Sequence, residues 1–136
     1  SEMLPEELRS VVIVGGGKCN LERVNGQVFA NDPIAVPRSG ELRFEGWIIN
    51  QAATAAMERV WIRASVGSKA LYSSTQSGLK RPDIVEAFKS SNYEASGFDA
   101  VMDASKQPAA DYSLTLVGLS KGTAYLCENG RKISLK

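Results

Sequence analysis

Short apolar–polar alternations, each closed by a turn-forming pair or a proline, run through almost the whole of this chain and leave it little choice but β-structure. In residues 59–66, Val60, Ile62, Ala64 and Val66 fall on one face, with Arg59, Trp61 and Arg63 on the other. Gly67-Ser68 then turns the chain into a second alternating run, 69–73. Asn25-Gly26 separates residues 19–24 from 27–29 and is a strong hairpin signal, because a type I′ turn needs positive φ at both central positions. In residues 41–50, Leu42 and Phe44 oppose Arg43 and Glu45. Pro33 and Pro37 bracket Ile34-Ala35-Val36, which confines that segment to an edge strand or an extended connector. Residues 10–14 form an apolar β-branched run ending in three glycines. Further strands are expected at 97–103, 112–119, 123–127 and 132–135, the last two separated by an Asn129-Gly130 turn.

One segment departs from this pattern. Pro82 suits a helix's first turn, Asp83 and Glu86 favour its positive end, and Ile84, Val85 and Phe88 form an apolar stripe. The helix over 81–88 spans only about two turns. Short strands with turn signals every eight to twelve residues predict an all-β antiparallel sandwich, here with one short helical crossover. No linker interrupts the 136 residues, so they read as a single domain, 1–136. Residues 1–9 serve as a lead-in, and Ser1-Glu2-Met3 reads as an expression remnant.

Histidine is absent. That removes Ser-His-Asp and Cys-His catalytic units, and every His-containing zinc or iron site, in one step. With 16 basic and 15 acidic residues scattered along the chain, nothing resembles the basic surface that phosphate neutralisation requires, and no nucleic-acid partner is expected. The sequence has no apolar run of about 18 residues, so this segment is not expected to insert into a membrane.

Two cysteines, Cys19 and Cys127, lie near opposite ends of the chain. They are too few for a closed zinc site. They are either two buried thiols or one disulfide tying the first strand to the last. The disulfide would place the domain outside the cytoplasm, where such bonds persist.

The remaining candidate motifs are weak. The run from Val11 to Gly17 imitates the opening of a dinucleotide fold, but Asn20 stands where the third glycine belongs and a hairpin follows where a helix is required. Gly16-Gly17-Lys18 lacks the hydroxyl residue and spacing of a phosphate loop. No cofactor and no metal site is therefore expected. Asp99 and Asp103 flank a strand, while Asp83, Glu86, Glu94 and Asp111 occupy loops. They read as turn formers, with a carboxylate-based hydrolase as the alternative. Among the aromatics, Trp47 adjoins Ile48 and Ile49 and is expected in the core. Trp61 shares its face with Arg59 and Arg63, so it is either exposed to a partner or packed shallowly beneath a loop. Together with Tyr72, these residues form a candidate ligand-binding set: Trp61, Tyr72, Arg59 and Arg63.

Gly46-Trp47-Ile48-Ile49-Asn50, the strand from Val60 to Val66, Arg81-Pro82-Asp83-Ile84 with Phe88, Ser96-Gly97-Phe98 and Tyr112-Ser113-Leu114 occur in an order that resembles immunoglobulin-like β-sandwich modules of bacterial envelope proteins. The resemblance covers roughly residues 40–120, with Asn50 replacing an acidic residue. It implies a non-catalytic accessory domain outside the cytoplasm, in contact with an envelope protein or a surface polysaccharide. It implies structural roles for Arg81 and Asp83, anchoring the helical crossover to neighbouring backbone, with a ligand contact as the alternative. A dedicated carbohydrate-binding module is the alternative.

Overall fold

The computed structural model describes residues 3–136; Ser1 and Glu2, the start of the expected remnant, lie outside the described residues. Among the described residues twelve strands form two packed sheets, a β-sandwich as expected. The strands are β1 (Val12–Gly15), β2 (Lys18–Val24), β3 (Gln27–Val28), β4 (Ile34–Val36), β5 (Glu41–Asn50), β6 (Ala55–Ala56), β7 (Arg59–Val66), β8 (Lys69–Ser74), β9 (Gln76–Leu79), β10 (Gly97–Asp103), β11 (Ala110–Ser120) and β12 (Thr123–Leu135), with helix α1 (Pro82–Phe88) between β9 and β10. The first sheet runs β1-β12-β11-β7-β8, with β4 also on β12. The second runs β3-β2-β5-β10-β9, with β6 on β5.

The core lies where the alternation places it. Val60, Ile62 and Ala64 of β7 and Leu114 and Leu116 of β11 face Leu42, Phe44 and Ile48 of β5 and Phe98, Ala100 and Met102 of β10. The expected hairpin turns form as well, with Asn25 at φ 51° and Gly26 at φ 80°.

Three details differ from the sequence expectation. β1 and β4 run parallel to β12, so the sheet edge is mixed and not wholly antiparallel. The helix is not a crossover between sheets: it lies in the connection between β9 and β10, antiparallel neighbours in the second sheet. Asn129-Gly130 does not end a strand. β12 continues through it as a bulge, with Leu114 opposite Arg131 and Thr115 opposite Glu128. The bulge is held because the Leu21 amide donates to Asn129 Oδ1 (2.8 Å), while Arg131 donates to the Leu21 carbonyl and to Asn20 Oδ1. These bonds cross from one sheet to the other.

The Cys19–Cys127 disulfide forms beside them, joining β2 of the second sheet to β12 of the first within the core. Such a bond indicates an oxidising environment. No helix among the described residues is long and apolar enough to cross a membrane.

Candidate functional site

The outer face of each sheet carries a groove, and the two differ in chemistry.

On the second sheet, α1 and the turn Ser91–Tyr93 cover one end of the face. Trp47 and Ile49 of β5 pack there against Ile84, Phe88 and Tyr93. The Trp47 and Phe88 rings are 5.6 Å apart, and Phe88 meets Tyr93 edge-on at 6.0 Å. Trp47 is therefore buried as expected, but under the helix and not between the sheets. Asn50 is also buried; its amide donates to Ser120 Oγ in the other sheet and its Oδ1 accepts from the Ala53 amide.

Beside the helix runs a groove of about 540 Å³, lined by Glu22, Arg23, Glu45, Lys80, Arg81, Asp83 and Asp99. Its charges are mostly satisfied by one another. Arg81 binds Glu22 through both carboxylate oxygens (2.8 and 3.0 Å) and Asp83 likewise (2.9 and 2.8 Å). Bidentate pairs of this kind fix geometry as well as add energy. Glu22 is the extra residue of a bulge in β2, and that irregularity turns its side chain toward Arg81. The Arg81 stem lies flat on β10 because residue 97 is glycine: a Cβ there would come within 2.8 Å of Arg81 Cγ and 2.9 Å of the Leu79 carbonyl. Arg81 thus ties the β9–β10 connection to β2 through a side chain, where anchoring to backbone was expected.

The Arg81 guanidinium holds the Asp83 carboxyl below the usual carboxylate range. A depressed folded-state pKa gives stability that is present above the unfolded value and lost as pH falls through the folded one. Replacing Arg81 with methionine is expected to cost about 1–3 kcal/mol, given partial exposure of the pairs. It should also flatten the loss of stability as pH falls through and below the usual carboxylate range. Urea unfolding of both proteins across that range checks it; parallel curves would remove the pair from the pH response.

Register brings together acids that sequence did not pair: Asp99 lies opposite Glu45 and Asp103 opposite Glu41. Glu45 also sits 3.7 Å from Arg23, and both are half-exposed. Among the described residues no three histidine, cysteine or carboxylate side chains are grouped to hold a metal.

On the first sheet, the N-terminal segment folds back across the outer face. Its 3₁₀ turn Glu6–Leu8 places Leu8 on Trp61, Val117 and Ala124, with Leu4, Val11 and Tyr72 around them. Trp61 is consequently only 2% exposed. The expectation of a partner-facing Trp61 is corrected: it packs beneath a covering segment, the other outcome its alternation allowed. Arg59 helps hold that cover, 3.0 Å from Glu7 and 5.4 Å from the centre of the Trp61 ring. Of the candidate ligand set, Trp61 and Arg59 are thereby engaged within the fold.

Arg63 and Tyr72 remain together as cross-strand partners, both half-buried. They line a groove of about 360 Å³ with Leu4, Ile13 and Leu126. Alternation in β7 and β8 could place Arg63 and Tyr72 on faces; it could not show that β1 and the N-terminal segment would supply the opposite wall. No family model matches this chain, and no curated protein or solved structure is significantly similar to it.

Proposed function

We propose that this chain is a non-catalytic extracytoplasmic interaction module of a bacterial cell-envelope protein, at the cell surface or in the periplasm, which contacts a protein partner through the outer face of its first sheet. The observation that carries this reading is the groove of Leu4, Ile13, Leu126, Tyr72 and Arg63: three aliphatic side chains, one aromatic ring and one guanidinium on a rigid sheet. Aromatic and arginine anchors over an apolar floor are the composition of protein-contact hot spots. The disulfide supports the compartment, and the order of short motifs supports the envelope setting. A chain without histidine also lacks the commonest general base.

Carbohydrate binding is the second reading, favoured by the adjacency of the Tyr72 ring and the Arg63 donors. It is weakened by the burial of Trp61, which leaves a single ring as a stacking platform. The hydrolase reading rests on the cross-strand acid pairs Glu45–Asp99 and Glu41–Asp103 alone.

Binding of the intact protein to envelope-protein extracts and to a panel of surface glycans, with Tyr72→Ala and Arg63→Ala in parallel, separates these. Saturable protein binding weakened about tenfold or more by Tyr72→Ala supports the proposal. Glycan binding with the same sensitivity promotes the second reading, and turnover of any glycan overturns both. Binding indifferent to both substitutions would move the site elsewhere.

A further inference from the structure

The run Ser10 to Gly17 contains no charged residue, and its sequence reads like a strand buried on both faces. The structure leaves it open on three sides. β1 lies at the end of the first sheet with β12 as its single neighbour. Val12 is 67% exposed, Ile13 38% and Val14 39%. Ile13 lies on the groove face, and Val12 and Val14 point to the opposite side, where the second sheet does not reach them. Edge strands in monomeric proteins are blunted by charges, prolines or bulges, and β1 has none of these.

The direction of its hydrogen bonds is fixed. The Gly16 amide donates to the Leu126 carbonyl (3.1 Å), so the even-numbered residues of β1 spend their main-chain groups on β12. Ile13 and Gly15 therefore present their amides and carbonyls outward.

We propose that β1 pairs with β1 of a second copy of this chain, antiparallel and centred on Ile13, joining the first sheets of two molecules into one. The strand is its own antiparallel complement. About a twofold axis at Ile13, Ile13 exchanges both main-chain bonds with Ile13 of the second copy. On the groove face Ile13 meets Ile13; on the other, Val12 meets Val14. β1 itself carries no charge, so the paired strands bring no like charges together. The charge-free run and its palindromic Val-Ile-Val centre favour a second copy over a strand of unrelated sequence.

Sedimentation equilibrium over a wide concentration range tests the pairing, with Ile13→Lys and Ile13→Glu examined separately and mixed. The wild type is expected to show a concentration-dependent dimer. Each variant alone should weaken it at least ~10-fold, because like charges meet at the axis. An equimolar mixture of the two should recover dimer, since only this register sets residue 13 against itself. Unchanged circular dichroism confirms that the exposed substitutions leave the fold intact. A wild type that stays monomeric at its highest soluble concentration overturns the proposal and leaves the edge to a strand of a different protein. A dimer insensitive to both substitutions, or one that the mixture fails to recover, overturns this register. Tyr72→Ala should leave the dimer unchanged, so loss of partner binding and loss of self-association are read independently.

Discussion

Replacing Cys19 and Cys127 together with alanine is expected to lower the unfolding free energy by about 4–5 kcal/mol. The sequence separation of 108 residues is the reason. A bond between residues so far apart removes many conformations from the unfolded chain, and that entropic contribution grows with the logarithm of the enclosed length. A domain of this size has a total stability of roughly 5–15 kcal/mol, so the reduced form stands close to its unfolding threshold. The bond also lies within the core between the sheets, beside the Asn129 and Arg131 contacts to β2. Those contacts keep the two strands aligned after the sulfurs are gone, so the fold should persist at low temperature. Alanine is preferred to serine because a hydroxyl in that core would lack a defined partner. Urea denaturation of the oxidised protein and the double variant measures the difference. A change below about 1 kcal/mol would mean that the unfolded chain is already compact around these residues.

The second large effect concerns Trp61. Its replacement by alanine should cost about 3–5 kcal/mol, because the indole fills the space between the outer face of β7 and the N-terminal segment. Leu8, Val117 and Ala124 lose their common neighbour, and the Arg59 guanidinium loses the ring 5.4 Å away. The loss should be local at first, freeing residues 4–11 before the sandwich unfolds. Hydrogen exchange should report it as early loss of protection around Leu8, whose amide donates to the Pro5 carbonyl. Trp61→Phe should recover more than half of the stability. Any binding lost in Trp61→Ala is then a consequence of a released cover segment, whereas Tyr72→Ala, at the half-buried edge of that cluster, tests the groove with Trp61 still in place. Equal stability of Trp61→Ala and wild type would return this residue to the surface.

The particular residues show where sequence reasoning reaches its limit. Alternation in β7 correctly set Val60, Ile62 and Ala64 against the core and Trp61 beside two arginines. It states which residues share a face, not what lies over that face. The cover comes from residues 4–11, whose short polar pattern carries no periodicity to reveal a docking site. Asn129-Gly130 shows a second limit: the pair that makes a hairpin turn at residues 25–26 makes a bulge here, because Asn129 finds the Leu21 amide in the opposite sheet. The Arg81 anchor was legible as a structural residue, but its partner Glu22 was not, since a one-residue bulge in β2 shifts the register that would have revealed it. The apolar run of β1 was legible as a strand. Its exposure depends on parallel pairing at a sheet edge, which no local pattern encodes.

The disulfide also determines how the molecule would carry tension. β1 and β12 run parallel, so a pull at Arg9 and Lys136 loads their hydrogen bonds in shear and not one at a time. Once β1 slides free, the load passes from Lys18 into Cys19, across the sulfurs and out through Glu128. The intervening residues, 20–126, drop out of the line of force. About 380 Å of potential extension is thereby withheld, at roughly 3.5 Å for each of the 108 enclosed steps. Under oxidising conditions the sandwich behaves as an almost inextensible link, and cleavage of a single covalent bond turns it into a long tether.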